Sequence, residues 1–206
     1  PNNPTGNTIP EQILTEILQF CASKKIRVVA DECFLRFHPH YEKMSCKRFL
    51  KQYPNLLIVN AFTKFYAMAG LRLGYLMTGD LSLLHAVAQQ LPEWNVSSIA
   101  QRAGISALQD TEYEKRTRQL IEKERRYLIQ EFLKMGCTVF PSEADYITFR
   151  LPQEKTGFLL KERLLEGKIL IRSCANYRNM PPDCYRIAVK QHADNEELVR
   201  RWFGGF

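Results

Sequence analysis

No run of apolar residues in this sequence approaches the roughly 20 that a membrane-crossing helix needs, so no span is expected. No two cysteines stand at C-x-x-C spacing; Cys21, Cys33, Cys46, Cys137, Cys174 and Cys184 are scattered along the chain. That argues against a zinc site. Several of them sit in apolar runs, where reduced cysteine behaves as a small buried hydrophobe, and this usage points to a reducing, cytoplasmic compartment. His38, His40, His85 and His192 show no ligand spacing with acids or cysteines, so no metal is expected. There is no internal repeat and no low-complexity tract, which excludes solenoids and disordered tails. The chain opens at Pro1, inside a turn motif and without a methionine. It reads as the later part of a longer polypeptide, and no signal peptide is visible.

Acidic residues are the scarcer charge: 22 against 29 basic ones, a net charge of +7. This reads first as a basic solvated surface and second as an attraction for anionic substrates. A nucleic-acid patch is disfavoured, because the densest basic stretch, Lys115 to Arg126, is interspersed with Glu114, Glu122 and Glu124 and reads as a salt-bridged helix face. At 45% hydrophobic and 25% charged residues, the composition is that of a globular protein rather than a disordered one.

The patterning predicts alternating helix and strand. Pro1-Asn2-Asn3-Pro4-Thr5-Gly6 is dense in turn formers. Ile9-Pro10-Glu11 opens a helix, and Ile13, Leu14, Ile17, Leu18 and Cys21 recur along it at helical spacing. Strands are predicted over Arg27–Ala30, Leu56–Asn60 and Leu73–Thr78, then mostly helix from Leu81 to Met135. Further strands are predicted at Gly136–Phe140, Tyr146–Arg150, Ile169–Arg172 and Tyr185–Val189, with helices at Phe158–Leu165 and Asn195–Trp202. This implies an α/β first part over residues 1–108 and a smaller α+β domain over 109–206.

In open α/β sheets, ligands sit beyond the carboxyl ends of the strands. Two predicted strands end in reactive groups: one delivers Asp31, the other Thr63-Lys64, followed by Ala69-Gly70-Leu71-Arg72-Leu73-Gly74. A loop lysine is ordinarily a solvated surface residue, and a lone aspartate at a strand end is ordinarily a cap or ion-pair partner. Their combination is what points to a site.

Together with Pro1-Asn2-Asn3-Pro4-Thr5-Gly6, Asp31-Glu32-Cys33-Phe34 and the late Arg186, the segment Phe62-Thr63-Lys64-Phe65-Tyr66-Ala67-Met68-Ala69-Gly70-Leu71-Arg72-Leu73-Gly74-Tyr75 resembles the aspartate-aminotransferase fold family. Enzymes of that family use pyridoxal 5'-phosphate. The resemblance covers the whole chain and implies its C-terminal portion: a partial large-domain sheet plus an α+β small domain. It further implies that Lys64 carries the cofactor as a Schiff base and that Asp31 pairs with the pyridinium nitrogen. Asn3 would bond the ring oxygen, and Thr63 and Arg72 would hold the phosphate. Many members have tyrosine where Phe34 stands; a phenylalanine cannot donate to the ring oxygen.

Within the family, Ile169-Leu170-Ile171-Arg172-Ser173-Cys174-Ala175-Asn176-Tyr177 and Tyr185-Arg186-Ile187-Ala188-Val189 resemble the threonine-phosphate decarboxylases of cobalamin synthesis, with histidinol-phosphate aminotransferases as near relatives. The first branch implies a lyase acting on O-phosphothreonine, with Arg172 and Arg186 gripping its two anions; the second implies an aminotransferase. Either implies a small anionic amino-acid substrate, a homodimer, and no membrane or nucleic-acid partner. The family's upstream half supplies a phosphate loop, a ring-stacking aromatic residue and a partner-subunit tyrosine. The chain by itself is therefore expected to be inactive, and a non-catalytic truncated domain is the other class to weigh. Trp94, before Asn95-Val96-Ser97, reads equally as a cleft residue or as core.

Overall fold

The structure, a computed structural model, describes residues 1–155 and 160–203. The chain forms two compact units, one of Ile9–Lys115 and one joining Pro1–Thr8 to Arg116–Phe206. The sequence placed the division at 108/109 and left residues 1–8 with the first part.

In the unit of Ile9–Lys115, helix α1 (Glu11–Ser23) starts directly after Pro10 and buries Leu18 completely. Strands β1 (Val28–Asp31) and β2 (Leu56–Ala61) run parallel, in a register that pairs Ala30 with Ile58 and Asp31 with Val59. The connection between them includes a short helix, α2 (Tyr41–Met44). Strand β3 (Gly74–Thr78) runs antiparallel to β2, with Ala61 opposite Gly74. The sheet order is β1-β2-β3. Between β2 and β3 lies only one 3₁₀ turn, Ala69–Leu71. A parallel return would need a crossover element, commonly a helix. Leu18, Cys46, Tyr53, Leu56 and Ile58 form a core, with Leu14, Val28, Ala30 and Met77 packed against it.

Helix α3 (Leu81–Gln90) is capped by the Asp80 side chain, which accepts from the Leu83 amide. Ser97 does the same for α4 (Ser98–Gln109) through the Ala100 amide. Both follow the usual preference for Ser and Asp as N-caps. Gly104 of α4 permits a close approach: a Cβ there would meet Leu73 Cδ2 at 2.5 Å. Trp94 is 91% exposed, so it is not core within this unit.

Helix α5 (Thr111–Lys134) begins in this unit and continues into the other. Part of the expected salt-bridged face is seen directly. Glu122 pairs with Arg126 one turn on, at 3.7 Å. Glu114 and Glu124 are buried, and each has a partner on another element. Glu124 accepts from Asn195 at 3.0 Å and meets His192 Nδ1 at 3.1 Å. Burial works against the charge on Glu124, but these two partners hold its carboxyl below the ordinary range.

The second unit carries an antiparallel sheet of order β4-β5-β7-β6. Its strands are β4 (Thr138–Val139), β5 (Tyr146–Arg150), β6 (Arg172–Ser173) and β7 (Cys184–Ala188). Helix α6 (Leu160–Glu166) precedes β6; Phe158 and Leu159, the start of the predicted helix, lie outside the described residues. Helix α7 (His192–Phe203) brings the buried Trp202 against Phe132 and Phe149, with ring centroids 5.1 and 5.0 Å away. The opening turn packs on β5. Buried Thr148 donates to the Pro4 carbonyl, and Tyr146 Oη donates to the Asn2 carbonyl at 2.7 Å.

Candidate functional site

In the unit of Ile9–Lys115, the parallel register sets the carboxyl ends of β1 and β2 side by side. Asp31 ends β1, and its Oδ1 accepts from the Cys33 amide at 3.0 Å. After β2 the chain turns through Phe62, whose amide donates to the Leu73 carbonyl at 3.0 Å and so brings residues 72–74 alongside 61–63. The Lys64 turn closes on itself: the Ala67 amide donates to the Lys64 carbonyl at 3.0 Å, and the Met68 amide to the Phe62 carbonyl at 3.3 Å. Ala67 and Arg72 both take left-handed backbone, at φ of 54° and 53°. Non-glycine residues adopt that region at a cost and gather at functional sites.

Lys64 Nζ stands 5.6 Å from the centre of the Phe34 ring, within cation–π range. The Arg72 guanidinium donates to the Ala69 carbonyl at 3.2 Å. Asp31, Lys64 and Arg72 are exposed and, among the described residues, form no ion pair. Cys33 lies between two of them. Burial, then the hydrogen bond and charge of Asp31, push its thiol up to about 12, while Lys64 pulls the other way. Thr63 is half-buried at the start of the same turn.

In the second unit a different group assembles. Arg172 and Arg186 are directly opposite partners on β6 and β7, which puts both side chains on one face. Arg172 lies 5.6 Å from the Tyr177 ring centre and Arg186 lies 4.9 Å from that of Tyr146. Asn3 Oδ1 accepts from Tyr177 Oη at 3.0 Å and from Arg186 Nη1. Because an arginine can only donate, the acceptor end of the amide is fixed and Nδ2 is the end left to donate outward. Arg172, Arg186 and Lys161 line one hollow of about 620 Å³ with Ser173, Asn176 and Leu170. No acid among the described residues pairs with either arginine. Three cations around one hollow, two of them spread over tyrosine rings, make a place for anions.

The structure therefore groups Asp31, Thr63, Lys64 and Arg72 in one unit and Asn3, Arg172 and Arg186 in the other. Sequence reading missed the roles of Tyr177 and Tyr146, the rings beneath the two arginines. Tyr177 stood in the string that carried Arg172; only the strand pairing shows what it supports.

Residues 1–201 match the family model described as aminotransferase class I and II. The chain belongs to the aminotransferase class I and II family. It is 36% identical to the threonine-phosphate decarboxylase of Salmonella typhimurium over 97% of its own length and 54% of that protein's. It is 31% identical to a histidinol-phosphate aminotransferase of Oleidesulfovibrio alaskensis, over 98% of this chain and 52% of the relative. The solved histidinol-phosphate aminotransferase of Clostridium acetobutylicum superposes with a TM-score of 0.90 at 32% identity, covering 98% of this chain and 61% of that one. The chain thus spans about half the length of the curated relatives it matches.

Pyridoxal 5'-phosphate is the cofactor of this aminotransferase family. The donor set fits it. An exposed lysine amine, a carboxylate at the adjacent strand end and a guanidinium beside them, none engaged in an ion pair, match its aldehyde, ring nitrogen and phosphate. Among the described residues no helix is long and apolar enough to cross a membrane, and no cluster of His, Cys, Asp and Glu could hold a metal ion.

Proposed function

We propose that the protein containing this chain is a pyridoxal-phosphate lyase that releases carbon dioxide from O-phosphothreonine and leaves an aminopropanol phosphate. The observation that carries this reading is the facing pair Arg172 and Arg186, with no acid among the described residues to neutralise it, beside a hollow also lined by Lys161. A substrate with a carboxylate and a phosphate supplies two anions for two forks. The 36% identity to a threonine-phosphate decarboxylase supports the same choice.

The bound cofactor supplies an electron sink for the bond broken at the substrate's α-carbon. Lys64 would hold the cofactor and could move a proton at that carbon. Asp31 would pair with the ring nitrogen and keep its proton there, as a nearby opposite charge does. Thr63 and Arg72 would bind the cofactor phosphate. Asn3 would offer Nδ2 as the donor to the ring oxygen. Phe34, lacking a hydroxyl, adds no donor there and packs under the lysine. Arg172 and Arg186 would bind the substrate's two anions and so set the orientation of its carboxylate.

A second reading, transamination of histidinol phosphate, is favoured by the 32% identity and 0.90 TM-score to the Clostridium enzyme. The test gives full-length protein O-phosphothreonine alone, then histidinol phosphate with 2-oxoglutarate. Carbon dioxide from the first is the expected result. Glutamate from the second with no gas from the first overturns the lyase and establishes the aminotransferase. Arg172→Ala separates the two further. A charge-assisted contact contributes about 1.5–3 kcal/mol, so its loss should lower kcat/KM for O-phosphothreonine by about one to two powers of ten.

A further inference from the structure

Lys64 is exposed, yet the residues that follow it, Phe65 and Tyr66, are 1% and 7% exposed. The turn is pinned from beneath by the start of α5. Tyr113 Oη donates to the Phe65 carbonyl at 2.9 Å, and Tyr66 Oη donates to Glu114 at 2.5 Å. Glu114 also pairs with Arg36 at 2.8 Å, and the Arg36 guanidinium lies over the Tyr66 and Tyr41 rings at 5.4 and 5.2 Å. Phe37 closes edge-on against Phe65, with ring centroids 5.1 Å apart.

The protonation states agree with this wiring. Burial opposes the charge on Arg36, but Tyr66 and Glu114 more than offset it and its pKa is raised. Burial, then the bond to Glu114, push the Tyr66 phenol up, so it stays protonated and donates. A buried charged network is stable only when every member is partnered, and such networks lock one geometry.

We propose that Tyr113, Tyr66, Glu114 and Arg36 are positioning residues that hold the left-handed turn at Ala67 and thereby fix the direction in which Lys64 leaves the sheet. The inference rests on Lys64 being the cofactor lysine. A lysine that must alternate between holding a cofactor and moving a proton needs its backbone held while its side chain moves. The four residues do this from below, without touching the reacting atoms.

The amides of Ala67 and Met68, both bonded across the turn, are the reporters. In full-length protein, Tyr113→Phe and Tyr66→Phe each delete one hydroxyl and keep the ring. Hydrogen exchange at Ala67 and Met68 should quicken about three- to tenfold, the factor one ordinary hydrogen bond sustains. The amides of β2 and α4 should keep their rates. Activity should fall in kcat with KM for substrate unchanged. Glu114→Gln, which strands the Arg36 charge, should exceed both. Exchange at Ala67 and Met68 that matches the unsubstituted protein in both phenylalanine variants overturns the inference. So does uniform acceleration across the unit, which is the signature of a merely structural role. Borohydride labelling of the unsubstituted protein separates the two levels. A label on another lysine sinks the Lys64 assignment and this inference with it; a label on Lys64 with an unchanged turn sinks this inference alone.

Discussion

Asp31 is one carboxylate with two duties visible at the level of single groups. It accepts the Cys33 amide and raises the Cys33 thiol, and it is the only acid among the proposed cofactor residues. Asp31→Asn keeps the shape and removes the charge. A close opposite charge shifts a partner's pKa by roughly 1–3 units. The variant should therefore retain cofactor on Lys64 while kcat falls by about one to three powers of ten; near-normal turnover would remove the electron-sink argument. The thiols make a separate prediction. Burial is the main cause at each site and raises Cys33 and Cys46 to about 12 and Cys184 to about 11, from an ordinary 9.0. Groups whose folded pKa is raised contribute stability below the unfolded pKa and lose it as pH climbs toward the folded one. Urea midpoints should hold up to about pH 9 and fall between about pH 9 and 11, and a midpoint that is flat across that window contradicts the burial reading. Asp31 and Lys64 could be proposed from the sequence because each follows a run rich in β-branched residues, and Arg72 because it stands in the string after Lys64 that carries the family resemblance. Tyr113 and Glu114 could not: their partners Phe65 and Tyr66 lie 48 residues away, and only tertiary packing joins them.

Among the elements, periodicity located nearly every helix and strand, and the misses have identifiable causes. The expected strand Ile169–Arg172 shrinks to Arg172–Ser173, because pairing exists only where β7 lies opposite, at Arg186 and Tyr185. Glu114 and Glu124 resemble surface charges by composition, but α5 buries both. The opening turn was read as an entry to the first part, yet residues 1–8 pack with the later unit. Gly6 shows why this docking is tight. Its φ is +85°, and a Cβ there would meet Ser142 Oγ at 2.2 Å and Ser142 Cα at 3.0 Å, while the Gly6 carbonyl accepts from the Glu143 amide at 2.9 Å. Gly6→Ala combines left-handed backbone with a clash against the chain. It should destabilise by more than about 1 kcal/mol, read as a lowered urea midpoint, and a variant as stable as the parent would show that the turn does not pack against Ser142 and Glu143 as described.

For the molecule as a whole, the chain spans about half of its curated relatives, and the exposed groups are consistent with that. Ile13, Phe20 and Val29 of the first unit are 48%, 59% and 61% exposed. Asp31, Lys64 and Arg72 face solvent, where the charges of a cofactor would be screened and poorly held. The 206-residue chain expressed alone should therefore release no measurable carbon dioxide from O-phosphothreonine; release by a preparation free of full-length protein contradicts this. The central claim is narrower and can be tested directly: Lys64 carries the cofactor. Full-length protein loaded with pyridoxal 5'-phosphate is reduced with borohydride, digested and mapped. A pyridoxyl label on Lys64, abolished in Lys64→Ala, is the expected result, and a label on any other lysine contradicts it.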